Sequence, residues 1–221
     1  MNVGSIRGNV EDLLASLPPG VDLMAVVKTR TPEEVAEAID AGVRIIGGNY
    51  VQETAALLDR IGRRVPCHLI GHLQTNKVKK AVGLFDFIET VDSAEIAAEI
   101  DRRCSRIGRT LPVLIEVNSG REPDKSGVMP EDAETLVAAV SVMEHVRVKG
   151  LMTMGPFFGE PEESRPFFRE TRRIYDLLSS ARIPGVEMSV LSMGMSHSYL
   201  VAIEEGATLV RIGTGIFGER K

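Results

Sequence analysis

Short apolar runs alternate with helical patterns along this chain, and that alternation constrains the fold more than any other feature. VDLMAVV (21–27) reads as a buried strand. Thr31-Pro32-Glu33-Glu34 then supplies an N-cap, a proline at the first helical position and acids in the first turn, which predicts a helix. Gly42 closes that helix, and VRIIG (43–47) reads as the next strand. The pattern recurs as helix 50–62, strand 66–71, helix 74–82, strand 84–90, helix 92–107 and strand 112–118. It continues as helix 130–141, strand 146–152, helix 160–180, strand 186–192, helix 197–205 and strand 207–212. Near-continuous apolar strands such as VLIEV (113–117) and TLVRI (208–212) argue for burial on both faces, as in a parallel sheet. About eight strand–helix repeats without a linker predict an α/β fold, a (β/α)8 TIM barrel, in one domain over 1–221. A doubly wound open sheet is the alternative. It needs a glycine-rich turn after its first strand, where this chain has Lys28-Thr29-Arg30.

Charge and composition narrow the partners. The 221 residues are 43% hydrophobic and carry a net charge of −5, which argues against a nucleic-acid partner held by bulk positive charge. No apolar run approaches the roughly 20 residues a membrane helix needs, and MNVGSIRGNVEDLL has no signal-peptide core. Two cysteines, Cys67 and Cys104, are too few for a disulfide framework, so a cytoplasmic protein is expected. No apolar surface stripe calls for a dimer, and a monomer is expected.

Barrel chemistry sits at the C-terminal ends of strands. The polar residues there are Lys28, Asn49, His72, Asn118, Thr153, Ser192, Ser196, Arg211, Gly213 and Thr214. A strand has period two, so Met24, Val26 and Lys28 share a face. If that face is the barrel interior, Lys28 is a lone amine above an apolar wall. Desolvation there favours the neutral amine a Schiff base requires, although a strand-end lysine is more often a solvated or snorkelling residue. After the last strand, GTGIFGE (213–219) exposes backbone N–H groups where barrels commonly hold phosphate, and Ser196 lies on the preceding strand's loop. A plain glycine-rich turn is the bland alternative. Arg211 should point inward and needs an acceptor, either a bound anion or a barrel glutamate such as Glu116. His68 and His72 lack further ligands at metal spacing. Met152, Met154, Met193 and Met195 are expected to pack the barrel mouth. The loops 119–130 and 154–166 both follow predicted strands and belong to the same end.

AVVKT around Lys28, GGNYVQE (47–53), HLIGHLQTNK (68–77), KSG (125–127), LSMGMS (191–196) and VRIGTGIFGER (210–220) together resemble the pyridoxal phosphate homeostasis protein family. The resemblance covers essentially the whole chain in consistent order. It implies a barrel similar to the alanine racemase N-terminal domain, binding pyridoxal 5′-phosphate (PLP). It implies that Lys28 forms the internal aldimine, that Ser196, Gly213 and Thr214 hold the phosphate, that Arg211 faces the pyridine nitrogen, and that Asn49 lies near the cofactor. Lys125 matches a family lysine that could attract or receive PLP. The sequence departs from the family at Gly48, where an acid is expected, and at His197-Ser198-Tyr199, where an aspartate is expected. An arginine at the pyridine nitrogen keeps it unprotonated and makes PLP a weak electron sink. Two-base racemisation needs a second acid–base, for which Tyr50 and His72 are the available candidates. The expected function is therefore to hold PLP and hand it to apo-enzymes without substantial turnover. A PLP-dependent amino-acid racemase is the alternative.

Overall fold

The computed structural model describes residues 4–155 and 159–219, so part of the 154–166 loop lies outside the described residues. In chain order the elements are α1 (Ile6–Ser16), β1 (Asp22–Val26), α2 (Pro32–Asp40), β2 (Ile45–Gly48), α3 (Val51–Ile61) and β3 (Cys67–Leu69). Next come α4 (Val78–Leu84), β4 (Phe87–Val91), α5 (Ala94–Arg106), β5 (Leu111–Val117), α6 (Ala133–Ser141) and β6 (Val146–Thr153). The last elements are α7 (Arg165–Ala181), β7 (Val186–Ser192), α8 (Tyr199–Glu204), β8 (Leu209–Ile212) and α9 (Thr214–Phe217).

The eight strands pair in parallel, in sequence order, into a closed barrel. Closure runs through Asp22↔Leu209, Leu23↔Val210, Met24↔Arg211 and Ala25↔Ile212, which sets the first and last strands side by side. The predicted barrel is therefore the fold.

Alternation along the strands separates two cores. Leu23, Ala25, Ile46, Val113, Ile115, Val117, Val210 and Ile212 face the helices. Met24, Ile70 and Leu209 meet inside the barrel, with Val26, Ile45 and Val190 against them. The first helix of the repeat begins as its sequence requires. Thr31 and Glu34 form a reciprocal capping box, with Pro32 in the first turn of α2.

Three differences from the sequence reading have local causes. The predicted strand 84–90 starts later, at Phe87, because Leu84 ends α4 and the Phe85 N–H donates to the Ala81 carbonyl. The predicted helices at 74 and 160 open with 3₁₀ turns, Thr75–Lys77 and Pro161–Ser164, before α4 and α7 begin. α1 precedes the first strand and was not expected. Ser5 caps it by accepting from the Gly8 N–H, and Asn9 Nδ2 donates to the Ile216 carbonyl in α9 at 2.9 Å.

Candidate functional site

Lys28 lies two residues beyond the end of β1, and its position depends on the turn behind it. Thr29 adopts a left-handed backbone with φ 62°, strained for a β-branched residue. Its N–H donates to the Glu53 carboxylate, which projects from the first turn of α3. That contact holds the chain where it leaves the barrel. Lys28 is half-buried, and its Nζ lies 5.1 Å from the centre of the Tyr50 ring.

A cavity of about 310 Å³ opens at this end of the barrel, in the size range of small-molecule sites. Lys28, Asn49, Ser196, Arg211, Gly213 and Thr214 all line it, with Val26, Ile70, Met154 and Met195 as its apolar wall. The six residues assigned to the cofactor by the resemblance thus meet in one place, drawn from β8 and from the segments that follow β1, β2, β7 and β8.

The loops after β7 and β8 are laced together by one hydroxyl. Ser196 Oγ accepts from the Gly213 N–H at 3.2 Å and the Gly215 N–H at 3.1 Å. A Cβ at Gly215 would stand 2.8 Å from Ile212 Cγ2, so a larger residue there would have to push Ile212 aside. A hydroxyl, a threonine and a glycine turn with main-chain donors suit an anion with several oxygens.

Arg211 points inward, 2% exposed, but its partner is not Glu116. Nη1 donates to Ser192 Oγ at 2.6 Å, and Nη2 donates to the Thr153 carbonyl at 2.8 Å. Ser192 Oγ in turn donates to Glu89 Oε2 at 2.6 Å, and Glu89 Oε1 lies 2.7 Å from His68 Nδ1. A polar chain therefore crosses the barrel interior from His68 to the arginine. Burial pulls the Arg211 guanidinium below its ordinary value, while Glu89 and Glu116 oppose that shift. Glu89 and its role were not read from the sequence, and only the closed barrel brings β4, β7 and β8 into one chain of contacts.

A second cavity of about 280 Å³ shares Asn49, Ile70 and Met154 with the first. Glu116, Asn118, His72, Lys125 and Ser126 belong to this lobe. Lys125 Nζ is 2.5 Å from Glu122 Oε1 and is largely exposed. His72 Nδ1 lies 3.2 Å from Ser126 Oγ and 3.5 Å from Asp92 Oδ2. Burial pushes the Glu116 carboxyl up to about 7; Asp92 adds to the shift and Arg211 opposes it.

The departures resolve differently. Gly48 is enclosed, and a Cβ there would stand 2.1 Å from Thr54 Oγ1, so this site has no room for an acid. His197 is exposed and lines the main cavity, whereas Ser198 is buried. Tyr50, 54% exposed, precedes α3 without a side-chain capping bond, and its ring face lies against Lys28 Nζ. Of the four methionines, Met154 and Met195 line the mouth, whereas Met152 and Met193 are fully buried. Among the described residues no group of three or more His, Cys, Asp or Glu side chains could hold a metal ion. No described helix is long and apolar enough to cross a membrane.

Comparison with known proteins agrees with this geometry. A family model described as alanine racemase, N-terminal domain, matches residues 1–221. The pyridoxal phosphate homeostasis protein of Aquifex aeolicus is 43% identical over 200 residues, covering 90% of this chain and 87% of the relative. The protein of that name from Vibrio alginolyticus is 34% identical, with 99% of each chain covered. The structure of PipY from Synechococcus elongatus with PLP bound superposes with a TM-score of 0.90 at 35% identity, over 97% of this chain and 100% of PipY. Alanine racemase of Clostridium difficile has the same fold, with a TM-score of 0.84 at 16% identity; the match covers 98% of this chain and 57% of the racemase. A family match along the whole length and relatives of this identity mean that the chain belongs to the alanine racemase N-terminal domain family and, within it, to the pyridoxal phosphate homeostasis proteins.

Proposed function

We propose that this protein binds PLP in the 310 Å³ cavity, carries it as a Schiff base on Lys28, and passes it to PLP-dependent apo-enzymes without substantial turnover of its own. The observation that carries the reading is the convergence of an amine, a hydroxyl-and-glycine anion cradle and a buried arginine on one cavity. The residues fit the cofactor on separate counts. Asn49 Oδ1 is buried without a partner among the described residues, so an unsatisfied acceptor borders both this cavity and the lobe beside it. The Ser196 and Thr214 hydroxyls are donors for a phosphate, and the Gly213 N–H donates to Ser196 Oγ and so orients that hydroxyl. PLP, when bound, contributes an aldehyde that can condense with an amine and a pyridine ring that can act as an electron sink.

The chain's own residues bind and orient. Lys28 presents its amine beside the Tyr50 ring at the open end of the interior, with Val26 beneath it. Arg211, fixed by Ser192 and the Thr153 carbonyl, would offer the ring nitrogen a cation rather than a carboxylate and would so discourage its protonation. That arrangement favours holding PLP over reacting through it. The PLP-bound PipY structure, at 35% identity, and the shared name of the curated relatives support the cofactor and the homeostasis role.

Borohydride reduction of the PLP-treated protein followed by peptide mass spectrometry tests residue and ligand together. A pyridoxyl adduct on Lys28 is expected, along with a visible absorbance band that is lost in Lys28→Ala. Absence of the adduct at saturating PLP, or an adduct on another lysine alone, would overturn the reading. Solvent deuterium appearing at the α-carbon of alanine above the Lys28→Ala background would instead make the protein a racemase.

A further inference from the structure

The second lobe of the barrel mouth has a feature that a cofactor in the first lobe does not use. β5 alternates, with Val113, Ile115 and Val117 packed towards the helices, so Glu116 faces the interior. Its side chain lines the 280 Å³ lobe, the residue is 6% exposed, and its Oε2 is buried with no hydrogen-bond partner among the described residues. A buried carboxyl without a partner is costly, and natural structures rarely leave one unanswered. Arg211, whose charge acts on Glu116, spends its hydrogen bonds on Ser192 and the Thr153 carbonyl. Asp92 adds a second negative charge nearby and raises the cost further. Lys125, at the rim, is paired with Glu122.

Asn49 Oδ1 is another buried oxygen without a partner among the described residues, and Asn49 lines this lobe as well as the first. Two orphaned acceptors therefore border one small cavity. The missing group is a donor-rich cation. A metal ion is a poor match, because no cluster of three ligating side chains exists among the described residues. A primary ammonium has three N–H donors on a compact positive centre, which suits a carboxylate and an amide oxygen together.

We propose that the lobe bounded by Glu116 and Asn49 is a binding subsite for the ammonium group of a small primary amine or amino acid, held chiefly by the Glu116 carboxylate. Because Asn49 belongs to both lobes, the bound nitrogen lies beside the cavity that contains Lys28. The subsite is made of the chain's own groups and does not depend on a cofactor being attached to Lys28.

Calorimetric titration of the full-length protein without added PLP, at pH 8, tests this with n-propylamine, L-alanine and the uncharged match 1-propanol. Saturable binding is expected for at least one of the two ammonium probes, and none for 1-propanol. Which ammonium probe binds tells whether the lobe takes a simple amine or an amino acid. Glu116→Gln, nearly isosteric, is expected to weaken that binding about tenfold or more, since a charged hydrogen bond is lost. In a Lys28→Ala background, which cannot form the Schiff base, Glu116→Gln is expected to weaken the probe by the same factor, which separates this subsite from the Schiff-base reading. Retention of the pyridoxyl adduct on Lys28 in Glu116→Gln shows that this variant still folds. Equal affinity in the parent and Glu116→Gln, or no saturable binding of either ammonium probe, overturns the proposal.

Discussion

Arg211 and Glu116 carry opposite charges within the same barrel, yet the structure gives each a different environment. The arginine belongs to a chain of contacts through Ser192 and Glu89 to His68, whereas the glutamate faces a cavity with one oxygen unpartnered among the described residues. The inward direction of Arg211 was legible from the period of two along β8. Its partner was not, because Glu89 lies 122 positions away in the sequence and reaches it only through Ser192. The isolation of Glu116 has a consequence for stability. Its folded-state value of about 7 exceeds the ordinary carboxyl value, so the folded protein holds a proton that the unfolded chain releases. Its contribution is fully present below the unfolded value and is lost as pH rises through about 7. Glu116→Gln removes that loss. Denaturant unfolding should find the variant gaining about 2–3 kcal/mol on the parent between pH 5 and pH 8. A gain that does not change with pH would mean the carboxyl is already answered in the folded protein.

At the scale of elements, helix starts were the most legible feature, because caps are local chemistry. Thr31, Pro32 and Glu34 announce α2 within four residues, and the structure forms the full capping box. α1 carries a weaker signal. Gly8 and Asn9 lie in its first turns, it has no acid there, and Val10 is its one fully buried residue. Its bond to α9 through Asn9 is a tertiary contact that local propensity cannot reveal. The β6–β7 seam is likewise set by packing. Gly150 sits at a register shift with φ 148°, and a Cβ there would stand 1.8 Å from the Val190 carbonyl oxygen. Gly150→Ala is therefore expected to destabilise the protein by about 2–4 kcal/mol. Thermal unfolding measures this, and an unchanged midpoint would show that the seam relaxes without cost.

For the whole molecule, the decisive event is closure of the sheet. β1 carries the approach to Lys28, β8 carries Arg211 and leads into Gly213 and Thr214, and the two strands pair directly. A ligand that touches both sides of this seam binds only the closed barrel and stabilises it by mass action. At a PLP concentration about one hundred times its dissociation constant, the gain is about 2.7 kcal/mol, or a rise in Tm of roughly 5–10 °C for a domain of this size. Scanning calorimetry with and without PLP checks this. No shift at saturation would mean that the seam and the ligand are uncoupled.

The order of strands and helices, the barrel they imply and the residues at the strand ends were already determined by the chain, because periodicity and capping act between near neighbours. The tertiary structure alone decided which of those residues share a cavity, that Arg211 leans on Ser192 and Glu89, and that Glu116 is left facing a second lobe. Those outcomes depend on contacts between strands remote in sequence, and no local pattern encodes the register at which a closed sheet brings them together.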